Sequence, residues 1–216
     1  MQNVTTEIII VDDHPLFRKG VSQLLAMDPA LRAVGEAQSG EEALNLAREH
    51  DPDLILLDLN MRGMDGIATI RALREADVQA RIVVLTVSDN DEDVVSALRA
   101  GADGYLLKDM EPEALLARIK EAATGRMVLS ESLTQVLAEA VSGHRTNDES
   151  ELLRALTSRE LEVLKGLSKG MSNKLIARKY DIAEGTVKVH VKNVLRKLNL
   201  RSRVEAAVWA VNHGVR

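Results

Sequence analysis

Three carboxylates, one hydroxyl and one ammonium stand where apolar runs of this 216-residue chain stop. "EIIIVDD" ends in Asp12 and Asp13, "DLILLDLN" interrupts its aliphatic run with Asp58, "RIVVLTV" holds Thr86 near its close, and "GYLLKD" closes at Lys108. An ionised Asp58 between Leu57 and Leu59 is too costly to bury unpaired. Either the run ends at water or a charged partner meets it. Three carboxylates brought within a few ångströms stay ionised together only if a cation joins them. An oxygen-only set with an open side suits Mg²⁺, which takes one or two carboxylates and a phosphate oxygen. An aspartate beside Mg²⁺ is a nucleophile toward a phosphoryl group and forms an aspartyl phosphate. Lys108 would then neutralise phosphate charge, and Thr86 would donate a hydrogen bond to a phosphate oxygen. Taken singly, these residues are ordinary turn formers, caps and surface charges. The set carries the reading.

The elements that must position them follow from periodicity. The apolar runs "EIIIVDD", "LRAVGEA", "DLILLDL", "RIVVLTV" and "GYLLKD" alternate with helical segments such as "SGEEALNLAREH" and "DEDVVSALRAG". That alternation predicts an α/β domain, a five-stranded doubly wound parallel sheet of the flavodoxin-like kind. All strands of such a sheet open their carboxyl ends on one edge, where ligands bind. Asp12, Asp13, Asp58, Thr86 and Lys108 all fall there. Ser39 suits a helix start, Pro112 a first turn, and Gly101 and Gly125 helix ends. "SESLTQVLAEAVSG" predicts a further helix capped by Ser130, and "HRTNDESELL" an exposed polar linker. From Leu156 onward the pattern is helical, opening with "TSRE", a capping box of Thr157 and Glu160. His14 is expected to start a helix rather than bind metal, and the other histidines show no ligand spacing.

Composition narrows the class. Hydrophobic residues make up 45% and charged residues 28%, as in soluble globular proteins. The first residues lack a basic segment followed by a long apolar run, so neither a signal peptide nor a membrane span is expected. Cysteine is absent, which excludes disulfides and thiolate metal sites and is compatible with a cytoplasmic location. Net charge is −13 over residues 1–150 and +8 over residues 151–216. A sign change of that size predicts two modules with different partners, the basic one suited to phosphates.

In the basic module, "SNKLIARKYDIAEGTVKVHV" reads as helix, turn near Asp181, and helix. At 100° per residue, Val187, Val191, Val194, Leu195 and Leu198 gather on one side of the second helix. Lys188, Val189, Lys192, Asn193 and Arg196 gather on the other, a face suited to a major groove. Ten Lys and Arg against two acids between Lys169 and Arg203 exceed what a merely solvated face needs. With aromatics at 2%, duplex DNA is favoured over single strands. The apolar stripe Val204, Ala207, Val208 and Val211 is expected to pack mainly inside its own domain, with a two-fold dimer contact as the alternative.

"IIIVDDHPLFRKGV", "DLILLDLNMRGMDG", "IVVLTVSD" and "GADGYLLKD" resemble the receiver domain of bacterial two-component response regulators. The resemblance implies that Asp58 accepts phosphate from a sensor histidine kinase. It further implies that Asp12, Asp13, Asp58 and the backbone carbonyl of Asn60 hold Mg²⁺, with Thr86 and Tyr105 as the switch pair. The loop departs from that pattern at Arg62, where the family usually has proline, which puts loop rigidity in question. "LTSRELEVLKGLSKGMSNKLIARKYDIAEGTVKVHVKNVLRKLNLRSRVEA" resembles the LuxR-type helix-turn-helix domain. By that resemblance the helix-turn-helix spans Ser172 to Val191, Thr186 lies in the recognition helix, and Lys188, Val189 and Lys192 face base edges. Asn193, Arg196 and Lys174 complete the DNA-binding set. Ala183 replaces the usual Ser or Thr cap, at a cost of about 1 kcal/mol.

Together these resemble the NarL/FixJ class, and within it the nitrate/nitrite-responsive members. The expected organisation is a receiver over 1–125, a linker helix and linker over 126–153, and a DNA-binding domain over 154–216. Expected partners are the kinase, promoter duplex, a second copy of the chain on DNA and, indirectly, RNA polymerase, with genes activated or repressed. No enzyme is expected, beyond slow loss of the chain's own phosphoryl group. Opposite charges on the two modules predict a closed unphosphorylated form with the receiver over the recognition helix. One rival is a dehalogenase-type phosphatase, which wants a second Asp two residues after the nucleophile where this chain has Asn60. Another is a regulator that binds DNA regardless of phosphate.

Overall fold

The period-two alternation of the apolar runs decides which side chains enter which layer. The computed structural model describes residues 5–88, 90–124, 128, 152, 153, 155–200 and 202–215. Its sheet comprises β1 (Thr6–Val11), β2 (Leu31–Ala37), β3 (Leu54–Leu57), β4 (Arg81–Thr86) and β5 (Gly104–Leu107). All pairings are parallel, in the order β2-β1-β3-β4-β5. Ile9, Val11, Ile55, Leu57, Ile82 and Val84 enter one core layer, beneath α2 (Gly40–His50), α3 (Gly66–Glu75) and α4 (Asp91–Ala100). Ile8, Ile10, Leu54, Leu56, Val83 and Leu85 enter the other, beneath α1 (Pro15–Leu25) and α5 (Pro112–Ala123). Strand order reverses between β1 and β3, which opens a crevice at their carboxyl ends.

Local signals place the helices. The Ser39 hydroxyl accepts a hydrogen bond from the Glu42 amide, Pro112 begins α5, and Gly101 ends α4 in a left-handed conformation. Gly66 starts α3 where a Cβ would lie 2.4 Å from the Asp58 carbonyl oxygen. Only glycine lets α3 begin hard against the chain that carries Asp58.

A second core forms among α6 (Ser158–Ser168), α7 (Asn173–Tyr180), α8 (Glu184–Lys197) and α9 (Arg203–Asn212). Thr157 and Glu160 make the expected capping box, and the turn between α7 and α8 passes through Asp181 at φ 52°. Ala183 caps α8 without a side-chain hydrogen bond. The expected linker helix with its Ser130 cap, the linker around 143–153 and Gly125 lie outside the described residues, except Val128, Leu152 and Leu153. Val128 bridges Gly104 and is buried, covering the outer edge of β5. No helix of the described residues is long and apolar enough to cross a membrane.

One expectation needs correcting. Val204 and Val208 of α9 pack into the receiver core, while Ala206, Trp209 and Ala210 serve the helical core and Val211 is exposed. The stripe does not pack mainly inside its own domain, because α9 is wedged between two cores and must be apolar on both sides.

Candidate functional site

Each strand end delivers its side chain to the crevice. Asp12 follows β1, Asp58 follows β3, Thr86 ends β4 and Lys108 follows β5. Asp12, Asp58 and Thr86 are buried, and Asp13 is half-buried beside them. Lys108 Nζ donates to Asp58 Oδ2 at 2.6 Å and lies 2.7 Å from Asp12 Oδ2. One ammonium therefore bridges two buried carboxylates, which answers how Asp58 is tolerated there. Lys108 Nζ also lies over the Phe17 ring, 4.6 Å from its centroid.

Potential ligand atoms of Asp12, Asp13, His14 and Asp58 lie within 4.8 Å of one another. Asp13 Oδ1 is buried without a hydrogen-bond partner, although the His14 ring comes within 2.9 Å. Two of the three converging carboxylates share the Lys108 ammonium, and the third, Asp13, has an oxygen with only the His14 ring beside it. The donor set fits a hard divalent cation. His14 does begin α1, but its ring does not cap the helix and joins the acids instead.

The loop after Asp58 is tied to the same cluster. The Asn60 amide donates to Asp58 Oδ1 at 3.2 Å, and its side-chain nitrogen donates to Thr86 Oγ1 at 3.3 Å. The Arg62 backbone N–H donates to Asp13 Oδ2 at 3.3 Å. Proline at that position would have no N–H to give. The departure at Arg62 thus trades a fixed φ for a hydrogen bond to the acidic cluster. Thr86 Oγ1 also accepts from the Ser88 amide at 3.4 Å, so both bonds use its oxygen as acceptor and leave its proton to offer. Tyr105 is buried, with its hydroxyl donating to the Ser88 carbonyl at 2.9 Å.

The structure sorts the α8 side chains as the periodicity requires. Val187, Val191, Val194 and Leu198 are buried; Thr186, Val189, Lys192 and Arg196 are exposed; Lys188 and Asn193 are half-buried. Lys174 lies half-buried in the first turn of α7. The basic face of α8 turns toward the first domain. Lys188 Nζ lies 3.2 Å from Asp51 Oδ2, and Lys192 Nζ lies 2.7 Å from Asp77 Oδ2.

A buried cluster continues that interface, and sequence reasoning missed it. Asp103 accepts from Arg74 at 2.7 Å and from the Ile82 amide at 2.9 Å, while Arg203 of α9 approaches to 3.9 Å. Arg203 also donates to the Met171 carbonyl at 2.7 Å. Arg81 donates to the Ala122 carbonyl at the end of α5. Burial, then the nearby Arg203, push the Arg81 guanidinium down to about 9, with Asp103 opposing and Arg74 adding to the shift. Burial likewise lowers Arg203, against the pull of Asp103. Asp51, Asp77 and Asp103 precede β3, β4 and β5, so all three lie at the strands' amino edge, opposite the acidic crevice. The aspartate before each strand was visible in the sequence. Nothing there said which edge the second domain would meet.

With the geometry in place, comparisons agree with it. Residues 8–120 match the family described as "Response regulator receiver domain", and residues 154–210 match "Bacterial regulatory proteins, luxR family". The chain is 56% identical over 202 residues to the nitrate/nitrite response regulator protein NarL of Escherichia coli K12, covering 94% of this chain and 93% of that protein. It is 52% identical to NarP of the same strain, described likewise, with the same coverage. A solved structure of two RcsB dimers bound to two parallel DNAs superposes with a TM-score of 0.56 at 25% identity, covering 96% of this chain and 98% of that one.

Proposed function

The chain belongs to the response regulators that join a receiver domain to a LuxR-family DNA-binding domain, and from that premise we propose how its two ends work together. Asp58 accepts a phosphoryl group from a sensor histidine kinase: one carboxylate oxygen attacks phosphorus while the bond to the kinase imidazole breaks. Asp12, Asp13, Asp58 and the backbone carbonyl of Asn60 would hold Mg²⁺, which when bound would supply positive charge to the acids and the incoming phosphoryl oxygens. Lys108, freed from Asp58 Oδ2, follows the new negative charge, and Thr86 donates its spare proton to a phosphoryl oxygen. Tyr105 exchanges its bond to Ser88 as that loop moves. The acyl phosphate is lost slowly to water; turnover of an external substrate is not its role.

The observation that carries the reading is the covered DNA-binding face. Lys188 and Lys192, which would meet base edges, are instead held by Asp51 and Asp77. The unphosphorylated chain is closed. Phosphate acts at the opposite strand edge, and β4 and β5 connect the two: Thr86 and Lys108 stand at one end, Arg81 and Asp103 at the other. A strand of this length spans roughly 16 Å, at about 3.3 Å per residue. A small pull on Thr86 and Lys108 is passed to the arginine cluster, loosens α8 and α9, and frees the recognition helix.

Opened chains bind promoter duplex as dimers through Thr186, Lys188, Val189, Lys192, Asn193 and Arg196, with Lys174 on a neighbouring phosphate. They activate or repress in the cytoplasm and meet RNA polymerase only indirectly. The likeness to NarL and NarP supports nitrate or nitrite as the signal read by the kinase. The test is a fragment beginning near Ser150. It should bind target DNA at least as well as the intact unphosphorylated chain, with no phosphodonor present. Weaker binding by the fragment at matched salt would show that the receiver acts by promoting dimers instead of by covering α8.

A further inference from the structure

Between the two domains, at the amino edge of the sheet, lies a cavity of about 290 Å³. That is near the lower end of the volumes that hold small ligands. Its charged lining is lopsided: Arg81, Lys120, Lys174, Arg178, Lys188 and Arg203 against Asp53 and Glu184. Some of these cations are already engaged, Lys120 with Asp28 at 2.6 Å and Lys188 with Asp51. Lys174 and Arg178 make no ion pair among the described residues. One Asp53 carboxylate oxygen accepts from the Glu7 amide at 2.9 Å.

Two of the lining cations, Arg81 and Arg203, belong to a buried cluster behind the cavity. Arg74, Arg81 and Arg203 crowd around one buried carboxylate, Asp103. Guanidinium groups stay charged, so closing the two domains gathers three cations around that one carboxylate. Burial first, and then the neighbouring Arg203, lowers the Arg81 guanidinium there.

We infer that this interdomain cavity is a binding site for a small phosphate-bearing molecule, whose negative charge is shared by cations from both domains and which favours the closed chain. Phosphate is the fitting chemistry because forked guanidinium donors match its oxygens and a dianion answers the excess. Lys120 and Arg81 come from the receiver, Lys174 and Arg178 from α7. Such a ligand sees both sets only when the domains are together. Binding itself follows from the cavity; its effect on DNA rests on the closure described under Proposed function.

The test titrates the full-length unphosphorylated chain calorimetrically with pyrophosphate and, separately, with ATP, without divalent cations. One saturable site is expected, weakened at least tenfold by Lys120→Ala and at least tenfold by Arg178→Ala. Equal affinity for the two probes would mean that phosphate alone is recognised, and tighter ATP binding that the nucleoside adds contacts; both support the site. No binding at millimolar probe overturns it. Loss in Arg178→Ala with full retention in Lys120→Ala also overturns it, since the anion would then sit on the helical domain alone. Because the chain has no cysteine, a single introduced pair can report the interdomain distance by fluorescence. Phosphorylation should weaken probe binding by the factor by which the probe disfavours opening. Lys120-dependent binding that ignores phosphorylation keeps the site and overturns its link to closure.

Discussion

Replacing Asp51 and Asp77 by asparagine together removes both acids that hold the recognition helix, without touching any side chain proposed to contact DNA. The Lys188–Asp51 pair spans 3.2 Å with Asp51 76% exposed, and the Lys192–Asp77 pair spans 2.7 Å with both side chains more than half exposed. Exposed ion pairs contribute about 0.2–1 kcal/mol each, well below their unscreened Coulomb energy. The two together therefore favour closure by about 0.4–2 kcal/mol, and losing them raises the open fraction about 2- to 30-fold. Affinity of the unphosphorylated protein for its site should rise by that factor, since only open chains bind. The phosphorylated protein, already open, should change less than twofold. Fluorescence-anisotropy titrations against target duplex, at low and at physiological salt, measure both forms. The gain should shrink as salt screens the pairs. Unchanged affinity of the unphosphorylated double variant at low salt would refute the claim that these pairs help hold the closed state. An equal gain in both phosphorylation states would also refute it, because the acids would then be repelling DNA rather than holding the helix.

Asp58→Asn is nearly isosteric and should leave the fold intact while abolishing the phosphate adduct seen by intact-mass measurement after treatment with a small phosphodonor and Mg²⁺; an adduct persisting on the variant would reassign the acceptor. In the phosphorylated protein, Lys188→Ala and Lys192→Ala should each cost about 1–3 kcal/mol at the specific site if they read bases, and weaken scrambled duplex equally if they touch only phosphates. Burial raises the Glu160 carboxyl, but hydrogen bonds from Lys197 and Thr157 outweigh it and hold it below its ordinary value of 4.5. Its contribution is therefore full above that value and is lost as pH falls through and below it. The urea midpoint of the helical domain should hold steady from neutral pH down to about 5 and then drop, with Glu160→Gln flattening the drop.

The acidic crevice is legible in the sequence because strand ends in a parallel sheet share one edge. Five apolar runs in βα alternation are enough to bring Asp12, Asp58, Thr86 and Lys108 together, however far apart they lie along the chain. The inward and outward faces of α8 were equally legible, since 100° per residue is a local rule that packing did not overturn. Sequence charge also anticipated that an acidic half would cover a basic one. What it did not determine was where. Asp51 and Asp77 look like helix-terminating residues, and both do adopt left-handed φ values there, of 43° and 62°; their second role depends on what is placed opposite them. Asp103 and Arg203 meet only because α9 is inserted against the receiver, which also sends Val204 and Val208 into a core other than their own. Helix and strand patterns arise from interactions between near neighbours in the chain, so the sequence contains them directly. The docking of one folded domain on another depends on surfaces assembled from distant segments, and only the tertiary structure decides it.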